Sequence, residues 1–578
     1  MNGQNAFKHL AWAWLAFTVT KVEVLHSQIA QDTYLVSLTD KTWGTSYPFH
    51  LDDPEAFLSP RAISRRERQG IPIDSLDLPV SQEVLDALNA LPDWQVIHAS
   101  KWLASVTLEA RDSLSEVDVV LDLPFVSGLK RTRPLKRSPR EWDADKDGRS
   151  KAMLPTSAYG EGWTALEQLN APSLHALGFD GGGMWIAVLD AGFQGADELP
   201  AFEILRESER LVVPEGANVA FGGSAVFAHS RHGASVLGTM GCMWEDSLVG
   251  TAPGSTYFCY ITEDVTQERL IEEEHWIVAA EHADSLGVDL INTSLGYSLF
   301  DDSASHHSVA ELDGRTARIS LASSIAASKG ILVVTSAGNS GDDPWRSITF
   351  PADAEGILAV GAVRANGDHG WFSGFGPSAD GRIKPDAMAL GVSCPYPRYD
   401  GTVGRGNGTS FASPILCGAA ACLWQAHPSS SAQEIRQAIV QSGHLFTSPN
   451  DSLGYGIPDM WKAHLLLSQG VSSPSESDNS ALELFPNPIS REATLRWTFH
   501  DTGEWDLSAV LEVRWRLSTT TGKQVAEGSL PGWFDEGLSG HLDLEAFNVS
   551  PGPYTFTLQD AEGTWFHHAT LVVVGAPY

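Results

Sequence analysis

Cysteine is scarce: the 578 residues contain five, at positions 242, 259, 394, 417 and 422. That is too few to staple a chain of this length, and no CxxC pair offers a metal-binding spacing. An odd number leaves at least one thiol free or paired outside the chain. Cys417 and Cys422 lie in an apolar helical run and read as small buried hydrophobes rather than ligands. Positive charge is also short, with 38 Lys and Arg against 72 Asp and Glu, a formal charge of −34. A surface of that sign repels nucleic acid and anionic membranes, which argues against a DNA or RNA partner. Long apolar runs are missing too. The stretch from Leu10 to Val19 is about ten residues, half of what a membrane-spanning helix needs, and no later segment qualifies. With Lys8 before it and small and polar residues from Ser27 to Ala30 after it, the stretch reads as a secretory signal peptide over residues 1–29. An uncleaved N-terminal anchor is the competing reading.

What is present suffices for several buried cores: 43% of residues are hydrophobic, and the length predicts two to four domains. From "TYLVSLTDK" to "VSGLKRTRP" the periodicities run β-α-β-β-α-β, which predicts a ferredoxin-like α+β domain over residues 30–135. A highly charged stretch at 136–157 reads as a linker or processing region. Over residues 158–469, continuous apolar strands such as "MWIAVLD", "VDLINTSL" and "ILVVTSAGN" alternate with helical runs, the pattern of a parallel sheet with helices on both faces. A Ser-rich linker at 470–481 leads to residues 482–578, where alternating strands and glycine turns predict a small β-sandwich. No solenoid-type repeat is visible.

Four residues stand where open α/β sheets place their chemistry. Asp190 ends the strand "MWIAVLD" before Ala191-Gly192, His232 precedes a glycine at a helix start, and Asn339 lies in the glycine turn of "VVTSAGNSG". Ser410 lies in "NGTSFASP", just before a helical run that carries Pro414 in its expected first turn. Singly, each has a plain alternative: turn former, structural histidine, left-handed asparagine, and for Asn407 an N-glycosylation sequon. Further sequons at Asn292, Asn450 and Asn548 make such matches look like chance. Together the residues run Asp, His, Asn, Ser, and Asp…His…Ser is the chain order of the subtilisin-type triad. The frame "GTSFA" is not the GxSxG elbow of an α/β-hydrolase.

The segments "IAVLDAGF", "RHGASVLGTM", "INTSLG", "TSAGNSG" and "GNGTSFASP" resemble the motifs of the subtilase family of serine endopeptidases, and the resemblance spans roughly Tyr159 to Leu467. It implies an α/β subtilisin-like sheet with Ser410 as nucleophile, His232 as general base and acid, and Asp190 holding the imidazole. Asn339 and the Ser410 N–H would bind the oxyanion, and Ser294, Leu295 and Gly296 would pair with an extended peptide. Two departures, Ala191 where Ser or Thr is common and Ser235 where a second His is common, predict altered packing around the triad rather than inactivity. The N-terminal domain is similar to subtilase propeptides, which aid folding and inhibit until removed. A sheet of non-local parallel pairings folds slowly, so such an aid makes physical sense. The expected cut falls between Arg131 and Lys151. Tyr297 and "FPADAEG" are expected to border the specificity pocket.

No cofactor is implied. Calcium is frequent in the family, but the acid pairs Asp301-Asp302 and Asp342-Asp343 read better as loop acids, and no metal ligand is assigned. The C-terminal region, opening "LELFPNP" and closing through "GPYTFTLQD", resembles the sorting domain of the type IX secretion system, although His568 and Ala569 replace the usual lysine. It implies a secretion-machinery partner and a protein that is secreted or held on the outer-membrane surface. A fibronectin-like or carbohydrate-binding module is the alternative for that region. For the whole chain, the alternative is a cell-surface binding protein with a vestigial triad.

Overall fold

A computed structural model describes residues 32–111, 115–132, 159–244 and 247–468, together with the backbone of eight strands between 482 and 574. The expected signal peptide and the linkers at 136–157 and 470–481 lie outside the described residues. The N-terminal domain contains β1 (Thr33–Leu38), α1 (Pro60–Gln69), α2 (Gln82–Asn89), β2 (Trp94–Ser100), β3 (Ser105–Ala110), α3 (Asp118–Leu121) and β4 (Val126–Thr132). Its antiparallel sheet has the order β2-β3-β1-β4, the ferredoxin-like order, with two helices rather than one between β1 and β2. Helix α1 starts behind Ser59, whose Oγ accepts the Ala62 N–H at 3.1 Å, and stops at Gly70 in the left-handed conformation. Val36, Val84, Leu88, Trp94, Val106 and Leu108 form the core. A sheet covered on one face alternates buried and exposed residues, yet Thr33, Tyr34, Leu35 and Val36 are all buried, so both faces are covered.

The central domain is built on seven parallel strands: β5 (Trp185–Asp190), β6 (Leu211–Val212), β7 (Thr256–Ile261), β8 (Leu290–Thr293), β9 (Leu332–Ser336), β10 (Leu358–Val363) and β11 (Ala387–Leu390). Their order is β11-β10-β9-β8-β5-β7-β6. Successive residues of β8, β9, β10 and β11 are all buried, and successive side chains point to opposite faces, so both faces are packed. After β5 the chain builds β6 and β7 on one side, then returns to build β8 and its successors on the other. The crevice at the carboxyl ends of β5 and β8 is therefore a topological switch point. Four helices frame it: α4 (His232–Gly241), α5 (Ile271–Leu286), α6 (Arg318–Ser328) and α7 (Thr409–Ala426). Helix α7 packs along β8 to β11 and against α4.

The N-terminal domain docks on α5 and α6 through charges that neither side exposes. Arg65 and Arg66 of α1 converge on Asp284 of α5, with Arg65 Nη2 2.5 Å and Arg66 Nη2 3.0 Å from its oxygens. Arg66 also pairs with Asp77, which Lys329 reaches at 2.9 Å. Lys101 Nζ lies 3.6 Å from Asp284, and Glu281 accepts from the Ser100 hydroxyl and from the Lys101 and Trp102 N–H groups at 2.6 to 3.0 Å. Gly287, which ends α5 at φ 91°, leaves room for this approach: a Cβ there would stand 2.6 Å from the Ala62 nitrogen.

His98 of β2 and His275 of α5 meet edge to face across the same junction, with ring centroids 5.0 Å apart. His98 Nε2 is enclosed without a hydrogen-bond partner among the described residues. Burial pulls the His98 pKa down to about 4, and burial followed by the neighbouring His98 and Arg269 pulls His275 well below its ordinary value. Both rings are thus neutral when docked, and a ring that separation opens to water moves back toward the ordinary value near 6.5. Docking strength is full above about pH 6.5 and falls as pH drops toward 4. After the expected cut, release of the N-terminal domain should accelerate between about pH 6.5 and 4.5, by up to about tenfold per pH unit for each ring. Replacing His98 by Gln should flatten the profile. A release rate constant over that window, measured by size-exclusion of the cut protein, would contradict the account.

A second compact unit contains residues 170–179 and 460–578. Its described strands form one sheet of three, Leu482–Phe485, Thr494–Phe499 and Leu538–Asp543, and one of five. In the latter only Ile489–Ser490 pairs in parallel, with Trp565–Val574. The side chains that a sandwich would interleave lie outside the described residues.

Candidate active site

Asp190, 1% exposed at the end of β5, accepts the Ala191 N–H at 2.7 Å on the oxygen that also lies 2.7 Å from His232 Nδ1. A carboxylate only accepts, so Nδ1 carries the proton and Nε2 is the basic nitrogen. His232 is the first residue of α4, and its N–H donates to the Ser230 hydroxyl at 3.1 Å. The glycine after it is required by the closeness of the two segments: a Cβ on Gly233 would lie 2.6 Å from the Gly192 carbonyl and 3.0 Å from Asp190 Cβ. The second carboxylate oxygen, Oδ2, is buried without a hydrogen-bond partner among the described residues. Ala191 offers it no hydroxyl, and the Ser235 hydroxyl turns back onto the Arg231 carbonyl at 3.3 Å. The aspartate is thus bound through one oxygen, with a buried acceptor left open.

Ser410 is the second residue of α7, half-buried at the crevice. Asn339, exposed in the turn after β9, takes the Thr409 N–H and hydroxyl on Oδ1, each at 2.8 Å. A backbone N–H can only donate, so the atom facing it is the oxygen. Nδ2, near Gly408, is left to donate elsewhere.

Pro414 is not at the helix start. Helix α7 begins at Thr409, so the proline sits in its second turn. A proline there removes the N–H that would close on the carbonyl four residues back, which is that of Ser410. The hydroxyl of Ser294, just past β8, takes the vacancy and donates to the Ser410 carbonyl at 2.9 Å. Asn292 Nδ2 donates to Ser294 Oγ at 2.9 Å, and Ser413 Oγ donates to Asn292 Oδ1 at 2.9 Å. Asn292 and Ser413 carried no sequence signal for this role, and full burial of Asn292 rules out a sugar there.

Leu295 and Gly296 continue from Ser294, and the Ser336 hydroxyl donates to the Leu295 carbonyl at 3.0 Å. Tyr297 and Phe350 exchange backbone hydrogen bonds at 2.9 and 3.0 Å. Asp302 and Asp343 cap local turns by accepting the Ala304 and Trp345 N–H groups, and Asp301 accepts the N–H of Glu268, 33 residues earlier. No group of three metal-ligating side chains occurs among the described residues. All five cysteines are buried thiols outside any disulfide, and burial pushes the Cys242 thiol up to about 12, so it stays protonated.

The geometry sets an imidazole held by a carboxylate at the start of α4 and a serine at the start of α7, with an amide near it, and the two helices pack together. The sequence profile of the subtilase family matches residues 181–456, and that of the peptidase S8 propeptide domain of Bacteroidota matches residues 33–146. Similar proteins include subtilisin from Bacillus pumilus, 30% identical over 279 residues, which are 47% of this chain and 88% of that protein. Subtilisin DY from Bacillus licheniformis is 30% identical over 295 residues, 50% of this chain and 92% of its own. Subtilisin NAT from Bacillus subtilis subsp. natto is 29% identical over 315 residues, 54% of this chain and 72% of its own.

Proposed function

Because the chain belongs to the subtilase family, we propose that it is a serine endopeptidase made as a precursor that its own N-terminal domain inhibits. The observation that carries the reading is the 2.7 Å contact of His232 Nδ1 with Asp190, in the same crevice as a helix-borne Ser410. Ser410 Oγ attacks the peptide carbonyl carbon and its proton passes to His232 Nε2. The C–N bond then breaks as that proton reaches the departing amine, and water repeats the sequence on the acyl-serine. Asp190 holds the tautomer and stabilises the imidazolium. Asn339 Nδ2 and the Ser410 N–H receive the oxyanion, a contribution of about 2.7–4 kcal/mol for the corresponding asparagine of subtilisin, a relative. Ser294, Leu295 and Gly296 offer backbone groups to an extended peptide. No cofactor enters these steps.

The signal-like residues 1–29 and the type IX-like ending support export to the medium or the outer-membrane surface. No helix among the described residues is long and apolar enough to cross a membrane. One experiment addresses both parts of the proposal. A fluorophosphonate probe should label Ser410 in purified, matured protein, because only an activated serine reacts; absence of labelling would favour a binding protein with a vestigial triad. A membrane-impermeant form of the probe, applied to a whole culture, should label the protein on intact cells or in the medium. Labelling only after lysis would refute export.

A further inference from the structure

The turn carrying Asn339 and the segment carrying Ser294 to Gly296 face each other across one side chain that no sequence pattern marks, Thr349. A Cβ built on Gly296 would lie 2.2 Å from Thr349 Oγ1, and one built on Gly338 would lie 2.6 Å from the same atom. The hydroxyl is therefore wedged between the two backbones. It is buried, with the residue 4% exposed, and has no hydrogen-bond partner among the described residues. The backbone holds it there: the Thr349 N–H donates to the Ala337 carbonyl at 3.1 Å, and the adjoining Phe350 is paired with Tyr297 on the other side. Threonine is stiff at χ1, so the group cannot readily swing away.

Resting on the peptidase reading above, we infer that Thr349 closes the specificity pocket and restricts the acyl-side residue of the substrate to a small side chain: glycine, alanine or serine. A carbonyl attacked by Ser410, with its oxygen at Asn339 Nδ2, places the attached Cα beside Gly338. The substrate strand along Ser294 to Gly296 borders it on the other flank. The side chain on that Cα must then enter the slot between the two glycines, and Thr349 already occupies its inner end. Glycine on both flanks leaves room for one more atom or two at the mouth, but an aromatic ring would have to displace a side chain held by its own backbone. Serine has an added reason to fit, since its hydroxyl meets a buried hydroxyl that lacks a partner.

The test uses matured protein and two peptide p-nitroanilides that differ only in the residue before the scissile bond, alanine or phenylalanine. The wild type should prefer alanine in kcat/KM. Thr349→Gly should move the alanine-to-phenylalanine ratio toward phenylalanine by at least about tenfold, mainly through KM. Thr349→Ala, which keeps the Cβ and serves if the glycine variant fails to fold, should move it the same way by less. Equal use of both substrates by the wild type, or an unchanged ratio in a folded variant, would overturn the inference while leaving the peptidase reading intact. No hydrolysis of either substrate together with no fluorophosphonate labelling would overturn that reading and this inference with it.

Discussion

Matured protein carrying Ser410→Ala is expected to lose about six orders of magnitude in kcat on peptide substrates. The loss on record for the nucleophile of subtilisin, a relative, is about 2 × 10⁶. The size follows from the division of labour in the crevice. Without Oγ the basic Nε2 of His232 has no proton to take, and the imidazole held by Asp190 becomes idle. The amide of Asn339 is untouched, because its bonds run to the backbone and hydroxyl of Thr409 rather than to Ser410. A residual rate of about 10³–10⁴ over water should therefore survive. His232→Ala should cost about as much, and the double variant hardly more, since the two side chains act as one unit. The assay is hydrolysis of a p-nitroanilide by variants matured in trans by affinity-tagged wild type that is removed before the rate is read. Turnover within tenfold of wild type in folded Ser410→Ala would remove Ser410 from the mechanism.

Asp284→Ala is expected to uncouple the N-terminal domain without touching the crevice. Removing the carboxylate leaves the guanidinium groups of Arg65 and Arg66, both buried, facing each other without their shared partner. Breaking a buried pair from one side costs about 3–5 kcal/mol, which corresponds to docking weakened by about 10²–10⁴-fold. Arg61→Ala should matter less, because that side chain is 32% exposed and the buried Asp289 keeps the Trp185 N–H at 3.0 Å and Arg68 at 3.6 Å as partners. The measurement is inhibition of matured protein by its N-terminal domain supplied in trans. An unchanged inhibition constant for Asp284→Ala would show that the charges contribute nothing to docking. The pH signature differs from that of the histidines. Burial alone would raise the Asp284 carboxyl, but Arg66 and Arg65, with Lys101 beside them, hold it well below the usual carboxylate range. Its contribution is present above the ordinary carboxylate pKa near 4 and is lost only in stronger acid. Acid weakening between pH 6.5 and 4.5 therefore belongs to His98 and His275.

The parallel sheet and the four residues at its switch point were legible because each leaves a local mark. Asp190 ends a buried strand, Asn339 follows Gly338 and Ser410 lies two residues after Gly408, and the requirement for Gly233 beside His232 is a steric fact that survives in the letters of the chain. The docking surface was not legible. Nothing in "IEEEHWIVAAEHADSL" marks a docking face, since carboxylates are seldom buried, yet Glu272, Glu273, Glu274, Glu281 and Asp284 are all buried. Their burial is set by partners 180 or more residues away in several cases, such as Ser100 on Glu281, and no window along the sequence contains both ends. Thr349 was invisible for a related reason. One threonine in a loop carries no period, and its position shows only when two glycines from the loops after different strands close on it. Pro414 misled by its own rule: proline favours a first turn, but the helix had already begun at Thr409.

That proline has a mechanical consequence. An ordinary helix would tie the Ser410 carbonyl to its own next turn, and the serine would ride with α7 alone. Here the tie runs to Ser294, and Asn292 adds a second link to Ser413, so the edge that would receive a peptide and the residue that would cut it are coupled by a short chain of hydrogen bonds. A pull on one is a pull on the other. A peptide stretched along Ser294 to Gly296 would therefore bear directly on the alignment of the serine, giving well-extended substrates a lever that short ones lack.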